Sequence, residues 1–246
     1  MTPGRAQVEA ALAAVHDPEL DEPITTLGFV ASLSVSDRGD VDVHLRLPTP
    51  QCAPNFAFLM VSDARGALRG VPGVRDVSVV LDDHYTGGEI NAAIGRGGDF
   101  EDAFPGESGA APADLEALRE LFQRKALLAR QGRVCAALQG GGLSAADAVA
   151  LRVADLQGLS PSNDVDLRAE VARCLVLRRA LGLPFDPGSF ALVAGDGSAL
   201  EAADLPLWLR RARLVGLSLE SNGGICRSLL HVRHGVPDPT QEVAVA

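Results

Sequence analysis

Apolar and polar residues alternate most regularly between residues 29 and 47. Phe29, Ala31, Leu33 and Val35 are interleaved with Ser32, Ser34 and Ser36. After the turn Asp37-Arg38-Gly39-Asp40, Val41, Val43, Leu45 and Leu47 face one way, and Asp42, His44 and Arg46 the other. Period-2 alternation on both sides of a turn predicts a hairpin with one buried face, and Pro48 and Pro50 stop its second strand because proline cannot donate to the ladder. Before the hairpin, Val8, Leu12 and Val15 lie at helical spacing, and Pro18 ends that helix by disfavouring the α conformation at Asp17. After it, Pro54 suits the first position of a helix, where its missing N–H costs nothing. That helix is expected to bury Phe56, Leu59, Met60, Ala64 and Ala67 and to end near Gly70. The turn Val71-Pro72-Gly73 leads to a third strand with Val77, Val79 and Leu81 alternating. The order is α-β-β-α-β, and Val43, Leu45, Phe56, Leu59, Val77 and Val79 are its expected shared core, since each apolar face must be buried against another.

Residues 95–112 (GRGGDFEDAFPGESGAAP) read as a linker or wrapping loop, being rich in Gly, Pro and acidic residues. The period then becomes helical. Leu115, Leu118, Leu121, Phe122, Lys125 and Leu128 follow one helix; Ser144 with Asp147 makes a capping box for a second; Leu167, Val171, Cys174 and Leu175 line a third. Residues 185–200 carry at most a short strand at 190–193. A last helical region, 205–214, precedes SLESNGGICRSLLHVRHG, and the tail after Pro237 is expected to fray. The fold class is therefore α+β. Residues 1–94 form a domain with a small sheet, 95–112 a linker or wrapping loop, and 113–246 a mainly helical domain.

The 246 residues are enough for two such cores. A net charge of −10 lacks the clustered basic face that nucleic-acid binding needs. No apolar run approaches the length that crosses a bilayer, roughly 20 residues. The opening MTPGRAQVEA has no signal-peptide core, so a cytoplasmic location is expected. There the four cysteines (52, 135, 174 and 226) stay reduced. They form no C-x-x-C pair, so neither a zinc ribbon nor a thioredoxin-type site is encoded locally. The glycine groups 95–98 and 140–142 do not carry a phosphate-binding fingerprint, and neither G-x-S-x-G nor H-E-x-x-H occurs.

Candidate chemistry centres on Cys52, in Thr49-Pro50-Gln51-Cys52-Ala53-Pro54. It falls in the turn before a helix start, where free N–H groups and the helix dipole favour a thiolate, the form that ligates metals or attacks. The plainer alternative is a small buried residue, the common fate of a free cysteine. His16-Asp17-Pro18-Glu19 accompanies it at the end of the first helix.

DPEL at 17–20, LGFV at 27–30, TPQCAP at 49–54 and VPGVRDVSVVL at 71–81 resemble the iron–sulfur cluster assembly domain of SufT-like and PaaD-like proteins. The resemblance covers the α-β-β-α-β stretch and puts Asp17, Pro18, Glu19, Thr49 and Cys52 on the family's motif positions. It implies Cys52 as a transient ligand of iron or an iron–sulfur cluster, with Asp17, Glu19 and Thr49 shaping the site. Thr26 stands where the family usually has Asp, and Ala53 separates Cys52 from Pro54. CAPNFAFLMVSDA, LDDHYTGGEIN and SNGGICRSLL also resemble two-domain relatives encoded beside bacterial soluble diiron monooxygenases, which implies a monooxygenase subunit as client.

Two further groups have metal-binding residue types. Cys226, His231 and His234 project to one side of a helix, a geometry open to a metal. The alternative is a buried cysteine with two histidines favourable to a helix C-terminus, with Leu229, Leu230 and Val232 packing part of the segment into a core. Asp82-Asp83-His84-Tyr85 could ligate or transfer protons, but Asp and Gly are default turn residues, so a solvated turn is favoured. Cys135 and Cys174 sit on apolar helical faces and are expected in the core.

The expected function is that of an accessory factor, with a non-enzymatic assembly or carrier protein favoured over an enzyme. Cys52 supplies one ligand to a transient iron or iron–sulfur centre, and a client metalloprotein or a second copy in a homodimer supplies the rest. Two other classes remain: a non-metal, chaperone-like adaptor for an oxygenase subunit, and a cysteine-dependent enzyme, disfavoured because no His/Asp partner can be located.

Overall fold

The computed structural model describes residues 2–107, 112–159 and 164–237. Its order begins α1 (Arg5–Ala13), β1 (Val30–Val35), β2 (Asp40–Arg46), α2 (Pro54–Arg69), β3 (Asp76–Asp82), the α-β-β-α-β sequence expected. The three strands form one sheet in the order β1-β2-β3, antiparallel between the first pair and parallel between the second. Central β2 alternates as its sequence requires, with Val41, Val43 and Leu45 buried. On β1 the pattern breaks: Val30 pairs with Leu45 and Ser32 with His44, leaving Ala31 as an extra residue, exposed rather than inward. A bulge of this kind carries the chain out of its alternation.

Pro54 is the first residue of α2, with Ala53 as its N-cap. This helix buries Ala57, Phe58, Met60, Val61, Ala64 and Leu68. Phe58 takes the central place expected of Phe56, which is half-buried against the same core, as is Ala67. Leu59 is buried as expected. Val43, Leu45, Val77 and Val79 join one cluster with α1 residues Val8 and Leu12.

The stretch expected as a linker is structured through residue 107. It contains the end of α3 (Gly87–Arg96) and all of α4 (Phe100–Ala103). Phe100, Ala103 and Phe104 are buried in the same core, and the Phe100 ring packs edge-on against Phe58 at 5.3 Å. Three apolar side chains outweigh the polar composition around them. Residues 108–111 of that stretch, and the tail after Pro237, lie outside the described residues.

The helices that follow are α5 (Pro112–Gly140), α6 (Ala145–Ala150), α7 (Val153–Leu159), α8 (Val165–Ala180) and α9 (Leu205–His234). Ser144 caps α6 by accepting from the Asp147 N–H at 3.2 Å. Residues 190–193 form only isolated bridges, Arg152 with Phe190 and Val193 with Ala199, not a strand. The chain divides into two compact units. One runs to Leu118 and takes the chain back from Ser221 on; the other is Arg119–Glu220. This differs from the division expected at 95–112: the residues from 221 belong with the sheet, not with the helices. The Arg119–Glu220 unit is helical, and its cores include Leu127, Val134, Leu156, Val171, Cys174 and Leu177 in one cluster and Cys135, Ala148, Leu192, Leu205 and Trp208 in another.

Candidate functional site

Topology gathers three loops at one end of the sheet. The parallel register sets Arg46 opposite Asp82, so β2 and β3 finish together. The antiparallel register sets Val30 opposite Leu45, so β1 begins where β2 finishes. Residues 14–29, 47–53 and 83–86 therefore share an edge, and the carboxyl ends of parallel strands are the usual ligand-binding edge of such sheets.

Cys52 is half-buried in the second of these loops. Its N–H donates to the Thr49 carbonyl at 3.4 Å, and the Thr49 hydroxyl lies 3.6 Å from its sulfur. The third loop holds it from behind. The Tyr85 N–H donates to the Pro50 carbonyl at 3.1 Å, and His84 Nε2 lies 2.8 Å from the Cys52 carbonyl. The Thr86 N–H reaches His84 Nδ1 at 3.3 Å, which makes Nδ1 the acceptor and leaves Nε2–H to donate. The loop is thus fixed through its backbone.

The first loop is built on Asp17. Its Oδ1 accepts from the Glu19 N–H at 2.8 Å and the Leu20 N–H at 2.9 Å, a carboxylate closing its own turn. Asp17 N donates to the Glu22 carbonyl at 2.9 Å, which returns the chain beside its starting point. Burial pushes the Asp17 carboxyl up to about 6, against the lowering effect of those two N–H groups; the neighbouring charges of Glu19 and Glu22 add to the rise.

The end of α9 meets both loops. Arg227 pairs with Glu22 at 2.5 Å. Arg233 donates to the Pro48 carbonyl and to Asp83, each at 2.8 Å. Gly223 permits the first of these contacts: a Cβ there would lie 2.6 Å from Glu22 Oε1. Cys226 is half-buried within this segment and, like Cys52, packs against the sheet's core. Burial, then the charges of Asp17, Cys52 and Glu19, push its thiol up to about 12.

The histidines expected beside Cys226 turn elsewhere. His231 Nδ1 lies 3.0 Å from the Val236 carbonyl at the helix end, where Gly235, at φ +66°, donates to the His231 carbonyl. His234 lies 3.8 Å from Asp83, and burial together with Arg46 and Arg233 lowers its pKa. Of the leucines and valine expected to pack, only Leu230 is buried; Val232 is 81% exposed, because a helix against a sheet buries one face. Among the described residues no three His, Cys, Asp or Glu side chains are grouped to hold a metal ion.

The Asp82–Tyr85 group forms the end of β3 and a turn in which Asp83 and Tyr85 are exposed, as expected, and its polar side chains have partners. Asp82 binds His44 at 3.0 Å, Asp83 binds Arg233, and His84 holds the Cys52 loop. The positioning role of His84 was not legible from its neighbours; the signal would have been its place just past a strand parallel to the one preceding Cys52. Cys135 and Cys174 are fully buried, and burial raises the Cys135 pKa.

Residues 5–80 match the family described as iron–sulfur cluster assembly protein. An uncharacterised protein of Methanocaldococcus jannaschii is 31% identical over 84 residues, which are 34% of this chain and 86% of that protein. The chain belongs to the iron–sulfur cluster assembly protein family. Two proteins named iron-sulfur cluster carrier protein are also similar. That of Mycobacterium leprae is 37% identical over 78 residues, 32% of this chain and 20% of the relative. That of Deinococcus radiodurans is 41% identical over 70 residues, 28% of this chain and 19% of the relative. The chain spans about a fifth of the length of these two carriers. The family match contains Asp17, Glu19, Thr49 and Cys52, and stops short of His84 and Cys226. Of the two departures from the family pattern, Thr26 is exposed, and Ala53 serves as the N-cap that keeps Pro54 in the first turn of α2. No helix among the described residues is long and apolar enough to cross a membrane.

Proposed function

We propose that this protein takes up an iron–sulfur cluster as cargo through Cys52 and passes it to a client metalloprotein. The observation that carries the reading is the mounting of Cys52: three loops meet at the sheet edge, and the cysteine is gripped by its carbonyl while its half-buried thiol touches the Thr49 hydroxyl. A thiolate suits soft iron centres. Clusters commonly take four cysteine ligands, so a single chain shares the coordination with a client or with a second copy. Incomplete coordination favours release over storage, as a carrier requires. Asp17 and Glu19 shape the neighbouring loop rather than ligate: Asp17 Oδ1 is already occupied by two N–H groups. A monooxygenase as the client draws no support from the fold or from the relatives.

The test is transfer. Wild-type protein, reconstituted anaerobically with iron and sulfide, is mixed with an apo-ferredoxin, and the visible circular dichroism of the acceptor is followed. The expected result is acceptor signal with wild type and none with Cys52→Ser. Should wild type take up no iron, while Cys52→Ser matures a client normally, the adaptor reading replaces this one.

A further inference from the structure

We infer that Cys226 is the partner thiol of Cys52, so that one chain presents a two-thiol site for a thiophilic ligand; with the cluster as that ligand, the inference rests on the reading above. Cys226 lies far outside the family match, at a position where neither the match nor its spacing to the histidines assigns it a role.

The geometry of α9 carries the argument. Successive contacts with the sheet unit come from Gly223 and Arg227 on Glu22, Leu230 in the core, and Arg233 on Pro48 and Asp83. Their spacing of three and four residues marks one helical face. Cys226 falls on that face, between Gly223 and Arg227, the two residues that meet Glu22, and about two turns before Arg233, which holds the Cys52 loop. Ile225, Leu229 and Val232 point the other way, exposed. An inward cysteine there packs against the same core as Cys52, and its thiol feels the charges of Asp17, Cys52 and Glu19.

This placement has a chemical consequence. Each thiol gives up its proton when it ligates iron. Two thiols from one chain leave two positions of a four-cysteine cluster to the client.

The experiment uses the full chain, reduced and anaerobic, and phenylarsine oxide, which bridges paired thiols independently of iron. Wild type is expected to bind one arsenical per chain. Cys52→Ser and Cys226→Ser are each expected to bind none, and Cys135→Ser and Cys174→Ser to bind as wild type. Dibromobimane on the wild-type protein, followed by peptide mass mapping, reads the pair without any variant: a bridged peptide joining Cys52 to Cys226 is expected. Retention of the arsenical by Cys226→Ser, or modification of the two thiols only singly, overturns the inference. If the pair is bridged but Cys52→Ser keeps wild-type iron and sulfide, the pair stands and the cluster reading fails.

Discussion

The two units use the same residue types to opposite ends. In the sheet unit, Cys52 and Cys226 are half-buried at the edge of the core, Cys52 in the loop after β2; in the helical unit, Cys135 and Cys174 are buried within apolar cores. Buried polar groups divide in the same way. Arg178, fully buried in the helical unit, donates to the carbonyls of Pro184, Phe190 and Ala191 at 2.6–2.9 Å. Gln131 accepts from the Val193 N–H at 2.8 Å. Both replace the ladder partners that a chain without strands lacks, and both are structural. Asp17, also buried, accepts from the Glu19 and Leu20 N–H groups, and burial raises its pKa as it lowers that of Arg178; what sets it apart is its place in the loop that α9 grips at Glu22.

The sharpest break of this contrast is Arg178→Leu. It leaves three carbonyls without their donor and is expected to cost about 3–5 kcal/mol, read by urea unfolding, while iron uptake per folded chain is unchanged. Loss of iron uptake in the folded variant would contradict the division of labour.

Asp17→Asn is expected to have the opposite sign. The folded-state pKa of Asp17 is raised from 3.8 to about 6, so the stability this group permits is fully present below about pH 3.8 and lost as pH rises through about 6. The asparagine carbonyl still accepts both N–H groups, since both bonds reach the same oxygen. The variant should match wild type near pH 4 and exceed it at pH 7.5 by on the order of 2–3 kcal/mol. A stability difference independent of pH would show that burial does not govern this carboxyl.

Smaller effects separate the cysteines. Cys135→Ser and Cys174→Ser each place a hydroxyl in an apolar core and should cost about 1–3 kcal/mol while sparing the site. Cys226, whose thiol burial pushes up to about 12, should alkylate at pH 8 more slowly than an ordinary thiol; labelling at the ordinary rate would remove the burial argument. His84→Ala should be mildest in stability, about 1 kcal/mol for one hydrogen bond, yet should lower iron occupancy by loosening the Cys52 loop.

Much of the sheet unit was legible in the sequence. The alternation of β2, Pro54 as a helix start and the Ser144 cap are local, and local physics decides them. The bulge at Ala31 escaped because alternation in sequence continues through a residue that has no partner. Phe100 and Phe104 were hidden by the glycines and acids around them. At the site, Cys52 was marked by its turn and its helix. The return of α9 was not legible, since Arg227 meets Glu22 across 205 residues, and no periodicity encodes a contact of that range. For the same reason His231 and His234, grouped with Cys226 by spacing alone, proved to belong to the end of the helix.

The most direct test sets one cysteine of each unit against the other. Wild type, Cys52→Ser and Cys174→Ser are reconstituted anaerobically as full chains, and iron and acid-labile sulfide are measured per folded protein. Cys52→Ser should fold like wild type and hold neither, because a hydroxyl is a poor ligand for a soft iron centre. Cys174→Ser should be less stable and hold both at the wild-type level. Wild-type iron and sulfide in Cys52→Ser would contradict the account.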